Sequence, residues 1–246
     1  FIRLAVVWGV DYHVPLSEYG VHWNFFFTIA FVGLVSTLAD LPPVTSAVAG
    51  ITLLIAYEVF LTCFGGAEYI LRAPRTELFS ANREGILSCF GFLGIHWLAV
   101  ALGSLLRSGH RPASNTLVVL IVVAVTCACV LLLLSMLGVN VSRRFCNLPY
   151  AMLTISINAM VLGSLALVDL CWPRPRPKLP LAFAGVQGSQ FAVFLAANLL
   201  TGLVNVSLQP LLVPWWAAIL TMVVYSMAWT VPFGMLSAQG VALRFH

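Results

Sequence analysis

Long apolar runs separated by short polar stretches dominate the chain. Seven of them reach the length of a membrane span: His22–Ala39, Val44–Phe64, Ile86–Leu106, Leu117–Val139, Tyr150–Leu170, Gln190–Leu208 and Leu211–Val231. A helix needs about 20 apolar residues to cross the hydrocarbon core. Transmembrane strands would instead alternate apolar and polar positions over roughly ten residues, and the run Thr116–Leu137 does not alternate. The pattern predicts an all-α, polytopic transmembrane helical bundle of about seven spans. Phe1–Val10 reads as the tail of a further, earlier helix, and without an initiator Met, basic n-region or small-residue cleavage site it does not read as a signal peptide. The expectation is a single transmembrane domain over residues 1–246, a fragment of a longer multispan protein with its N-terminal spans missing.

The connections between runs differ. Asp40–Pro43 and Gln209–Pro210 are short, so the first and second runs, and the sixth and seventh, are expected to form antiparallel hairpins. Gly65–Gly85 is long and polar, with three Arg and three Glu, and is the most site-like loop. Trp172–Pro180 alternates proline with Arg and Lys and reads as a stiff, extended connector.

Composition agrees with the pattern. Apolar residues make up 61% and charged residues 8%, against roughly half and a quarter in soluble domains. Mean hydropathy is +1.01. Of twelve basic residues eleven are Arg, a bias that suits planar, bidentate binding of phosphate or carboxylate. Snorkelling anchors at helix ends are the alternative for any one of them. Six basic residues fall on each side of the predicted bundle, so the positive-inside rule does not orient it. Six cysteines without a CxxC pair or a His-rich partner set indicate neither a metal nor a disulfide framework. Sequons at Asn140 and Asn205 lie at a helix end and inside a span, and do not report sidedness.

Polar residues next to apolar spans carry the functional signal, since a charge at mid-bilayer costs about 2.5–3.5 kcal/mol or more. Four clusters stand out. In Glu18–Asn24, Tyr19 and Trp23 suit the interfacial aromatic belt, His22 a proton carrier, and Asn24 an amide clamp; both polar residues could equally satisfy backbone. In Ser80–Gly85, Ser80, Asn82 and Glu84 suit capping. Arg83 at a helix N-terminus opposes the dipole and asks for an anion, either Glu84 or a ligand phosphate. In Ser142–Tyr150, Arg143 and Arg144 suit lipid anchoring or a polyphosphate, with Asn147 near a cap position and Pro149 in the first turn. In Asn198–Asn205, Asn198, Thr201 and Asn205 share one helix face, for binding or for interhelical hydrogen bonds. Glu58, inside the second run, should face the bundle interior, be neutral, or pair with a base, and His96 is a candidate partner.

These clusters together resemble the GPI inositol-acyltransferase family, the phosphatidylinositol-glycan biosynthesis class W proteins, and in particular its C-terminal half. The matching stretches are EYGVHWNFFFT at 18–28, FSANREGI at 79–86, SRRFCNLPY at 142–150 and LAANLLTGLVN at 195–205, in order across most of the chain. The resemblance implies a multi-pass enzyme of the endoplasmic reticulum membrane. It would move a fatty acyl chain from acyl-CoA, palmitoyl-CoA by expectation, to the inositol 2-hydroxyl of glucosaminyl-phosphatidylinositol. Acyl-CoA would be a co-substrate, with no bound cofactor, metal or nucleic acid. On that reading Arg83, Arg143 and Arg144 contact phosphates. Tyr19, Asn24, Asn82, Glu84, Asn147, Asn198 and Asn205 complete the substrate-binding set. His22 is the base by default, because the family's functional Asp and Lys are expected upstream of Glu18, and the text around Asp11 and His13 departs from the family pattern. Beside an inert assembly subunit, two other functions remain open at this stage. One is another multispan O-acyltransferase built on an intramembrane His (His22 or His96). The other is a transporter using Glu58 and the sixth span, for which an inverted repeat is expected and none is seen.

Overall fold

A computed structural model of the chain describes residues 20–107, 112–172, 179–208 and 212–243. The expected helix tail at Phe1–Val10, Asp11, His13, the Glu18–Tyr19 pair, most of the Pro/Arg connector and the Gln209–Pro210 link lie outside the described residues. Among the described residues all regular structure is helical. Six helices are long and apolar enough to cross a membrane, and the protein is a multi-pass membrane protein.

The helices fall into two compact units, the first holding the described residues up to Trp172 and the second those from Leu179 onward. The first unit contains α1 (Phe25–Ala39), α2 (Pro43–Cys63), short helices α3 (Gly66–Arg72) and α4 (Leu78–Ala81), then α5 (Arg83–Arg107), α6 (Ala113–Met136) and α7 (Leu148–Cys171). Helix α5 is the hub, packed by both α1 and α2. On one side Gly50 faces Gly94: a Cβ on Gly50 would lie 3.0 Å from the Gly94 carbonyl, and one on Gly94 would lie 2.6 Å from Leu54 Cγ. Small residues at such crossings let membrane helices approach closely. The α6–α7 pair closes over Leu120, Ala124 and Ala159, and the Ser156 hydroxyl donates to the Ala124 carbonyl at 3.0 Å.

Two sequence expectations change here. The first run, predicted to be a span from His22, becomes a helix only at Phe25 and has 15 residues, about 22 Å long at 1.5 Å per residue. Asn24 sets that start: its side-chain oxygen accepts from the amides of Phe26 (2.9 Å) and Phe27 (3.3 Å). The second concerns the α1–α2 hairpin. Trp23 meets Gly85 and Ser36 meets His96, whereas Gly50 meets Gly94 and the Tyr57 ring lies tilted near Phe90. So α1 runs parallel to α5 and α2 antiparallel to it. The two are opposed in direction, as expected of a hairpin, but their main packing partner is α5 rather than each other.

The second unit contains α8 (Leu181–Gly188), α9 (Gln190–Ser207) and α10 (Trp215–Ala238). Helix α8 was not expected, because eight residues are too few to register as a span. It lies on α10 where Gly185 has no side chain to meet the Phe233 backbone. Ala192, Val193 and Phe233 form the small core. The last span was read as Leu211–Val231 but is helical from Trp215, after Pro214, and continues through Pro232 to Ala238.

Candidate functional site

The oddity of the sequence, an Arg–Glu pair opening an apolar helix, is resolved by where the two side chains go. Arg83 is 2% exposed and turns away from its own helix. Its Nε donates to the Ile70 carbonyl at 2.8 Å, and its Nη1 to the carbonyls of Ser80 (3.0 Å) and Pro74 (3.5 Å). Its guanidinium lies 5.7 Å above the Tyr69 ring. The cation thus sits at the C-terminal end of α3, where free carbonyls and the helix dipole favour it, and gathers the 70–80 loop around itself. Glu84 is fully buried in the first turn of α5, where the dipole favours an anion. Arg75 forks onto both carboxylate oxygens, and Arg144 Nη2 donates to Oε1 at 3.0 Å. Arg75 also donates to the Ala81 carbonyl at 2.7 Å.

Arg144 belongs to the 142–147 loop, which is fixed from several directions. Asn147 caps α7: its Oδ1 accepts from Ser142 (3.0 Å) and Tyr150 (3.3 Å) amides, and its Nδ2 donates to the Asn140 carbonyl at 2.9 Å. Helix α2 supplies the Tyr57 hydroxyl, donating to the Phe145 carbonyl at 3.0 Å, and the Glu58 carboxylate, accepting from the Leu148 amide at 2.8 Å. Cys146 is fully buried with φ of +50°, and burial, reinforced by nearby Cys89, pushes its thiol pKa up. Its carbonyl rests on Gly91, where a Cβ would overlap it.

The segment entering α1 docks on the same place. Asn82 Oδ1 accepts from the backbone amides of His22 (2.7 Å) and Trp23 (2.9 Å), and its Nδ2 donates to the Leu78 carbonyl at 2.9 Å. Val21 donates to the Ala81 carbonyl at 3.1 Å. The Trp23 ring covers Gly85, with its Nε1 donating to Thr28 Oγ1 at 3.0 Å. The His22 side chain is exposed.

Three of the four sequence clusters therefore meet at the N-terminal end of α5: His22, Asn24, Asn82, Arg83, Glu84, Arg143, Arg144 and Asn147 all lie on segments that touch there. Tyr19 lies outside the described residues. Asn198 and Asn205 belong to the other unit. Asn198 is exposed, its Nδ2 donating to the Phe194 carbonyl at 2.7 Å, and Asn205 is half-buried. Glu58 and His96 do not pair. Glu58 takes the Leu148 amide, and His96 Nε2 instead lies 3.1 Å from Ser36 Oγ; on α5 the histidine faces α1 rather than α2. Sequence reasoning missed Arg75 and Tyr57 as members of this cluster. Neither has a spacing signal, since both act across loops. Among the described residues no group of three His, Cys, Asp or Glu side chains could hold a metal ion. Chemically the arrangement is a cationic knot: Arg75 and Arg144 meet on one carboxylate, with Arg83 held by carbonyls on the adjoining loop, leaving positive charge beside the partly exposed faces of Arg75 and Arg144.

Comparison with known proteins places this geometry in context. The family model described as GWT1 matches residues 1–236. A protein of Arabidopsis thaliana described as uncharacterized is 31% identical over 250 residues, covering all of this chain and 57% of its own length. The GPI-anchored wall transfer protein 1 of Yarrowia lipolytica is 34% identical over 237 residues, 86% of this chain and 50% of the relative. The phosphatidylinositol-glycan biosynthesis class W protein of Dictyostelium discoideum is 29% identical over 248 residues, all of this chain and 50% of the relative. The chain spans about half the length of the curated relatives it matches.

Proposed function

Because the chain belongs to the GWT1 family, we propose that it serves an acyl-CoA-dependent O-acyltransferase that acylates the inositol 2-hydroxyl of glucosaminyl-phosphatidylinositol in GPI-anchor biosynthesis, in the endoplasmic reticulum membrane. The observation that carries the reading is the convergence of the 20–24, 80–85 and 142–150 segments on one end of α5, with guanidinium in excess over carboxylate. In the reaction the inositol oxygen attacks the thioester carbonyl, a C–O bond forms and the C–S bond breaks. The hydroxyl proton passes to a base, and coenzyme A leaves as the thiol. Both substrates carry phosphate, and both bring acyl chains, so a cationic patch at the end of a lipid-facing bundle suits them.

Within this reading Arg143 and Arg144 contact phosphate, and exposed His22, next to Asn82, is the base this stretch of chain offers. Arg83 acts differently from a contact: closed in by three carbonyls, it holds the loop that presents the others. Asn24, Asn82 and Asn147 direct their amides to backbone and shape the site. Asn198 and Asn205 remain candidates for hydrogen bonds to the headgroup or thioester.

The test uses microsomes lacking their own inositol acyltransferase and supplied with the full-length protein, assayed for palmitoyl-CoA-dependent acylation of glucosaminyl-phosphatidylinositol. Product from the wild type that falls at least tenfold in Arg144→Ala, at unchanged expression, supports the reading and the assignment. No product from well-expressed wild type would overturn it.

A further inference from the structure

We propose that Arg75 and Arg144 form a paired-guanidinium cleft for a phosphate group at the membrane surface, with Glu84 as the pin that holds them together. The inference rests on the functional reading above only for the source of that phosphate.

The two arginines come from different loops, yet both donate through Nη2 to the same oxygen, Glu84 Oε1. Two like charges brought to one atom repel unless something neutralises them, and one carboxylate neutralises one of them. Arg83 alongside adds a further charge that, among the described residues, is met by carbonyls and the Tyr69 ring. Among the described residues the local excess is therefore positive, and at the reduced effective dielectric of a partly buried site it attracts an anion more strongly than in bulk water.

The donors are unequally used. A guanidinium carries five N–H donors. Arg75 commits Nη1 and Nη2 to Ala81 and Glu84. Among the described residues Arg144 makes one bond, to Glu84, and its Nε is buried without a partner. Accessibility is unequal too: the side chains of Arg75 and Arg144 are 25% and 29% exposed while Glu84 is closed, and so is Arg83. An incoming ligand thus meets the outer edges of two fixed guanidinium planes, not the carboxylate behind them. A phosphate offers several acceptor oxygens to such forks, which lysines in the same place would meet only as point charges. The cleft also assigns a part to Arg75, and moves Arg83 from the ligand to the framework.

The phosphate could be the diester of an inositol lipid or the phosphates of coenzyme A, and soluble probes separate them. Full-length protein in detergent is treated with phenylglyoxal, and modification of Arg75 and Arg144 is followed by peptide mass spectrometry, alone and with glycerophosphoinositol or coenzyme A. At least fivefold slower modification of both arginines with one probe is expected, and the protecting probe names the source. Unchanged modification with both probes would overturn the cleft, as would failure of either arginine to react in the absence of probe. In parallel, Arg75→Lys and Arg144→Lys should each raise the Kd of the protecting probe about tenfold while the thermal midpoint holds. An unchanged Kd in both would also overturn it. Neither readout requires acyl transfer, so an intact cleft in a protein without that activity would fault the functional reading and leave this one standing.

Discussion

The start of α5 and the middle of α9 both place asparagine and other polar side chains in an apolar chain, and they use them in opposite ways. Asn82 bonds the backbone of His22 and Trp23, about sixty residues away, and Glu84 joins Arg75 to Arg144. On α9, Asn198 bonds the carbonyl four residues earlier in its own helix, and Thr201 does the same before reaching Tyr225 on α10. In hydrocarbon an unsatisfied polar group costs several kcal/mol, and both arrangements avoid much of that cost. Only the first gathers several segments into one cluster; the Thr201–Tyr225 bond joins one helix to its neighbour. Polarity in a membrane span therefore marks a site when its bonds gather several segments, and marks little when they return to their own helix or reach only its neighbour.

That contrast can be broken by substitution. Glu84→Gln should have the largest effect, because it leaves two guanidiniums facing a neutral amide. A loss of about 3–5 kcal/mol, typical of breaking a buried ion pair, would show as poor expression and a collapsed thermal midpoint in detergent. Arg83→Ala should cost about 2–3 kcal/mol by stranding buried carbonyls, and limited proteolysis should then cut within residues 70–80. Gly91→Ala should cost about 1–3 kcal/mol through overpacking against the Cys146 carbonyl, with new alkylation of Cys146 as its signature. Asn198→Leu should change stability by no more than about 0.6 kcal/mol, the average measured for interhelical polar contacts in membranes. A large loss from Asn198→Leu, or none from Glu84→Gln, would erase the distinction between the two regions.

The helices were legible because length and uninterrupted hydropathy decide a span almost alone, and six of the seven predicted runs are helices of at least 18 residues. The first run misled because Asn24 caps inside it, and α8 was missed because a short helix carries no periodic signal of its own. The resemblance carried by the four motifs is borne out by the family match over residues 1–236. Their order along the chain did not tell which of them meet. Sequence shows that Arg83 opposes its helix dipole, but not that the answer lies on α3. It shows that Glu58 needs a partner, but the partner is a backbone amide at Leu148, which no side-chain pattern announces. The site is assembled by loops, and loop contacts have no period to read.

The shared carboxylate of Glu84 also sets a timetable for biogenesis. As the chain is made, Arg75 precedes Glu84 by nine residues, so that fork can form as soon as α5 begins to insert. Arg144 arrives sixty residues later, after α5 has been completed and α6 has been laid down beyond it. Until then the carboxylate at the end of α5 is held by one arginine instead of two, and the 142–147 loop has not yet docked there. Closure of the third bond is thus a molecular record that α6 has crossed and the chain has returned to the same side, and a topology error in that hairpin would be exposed as an unsecured charge.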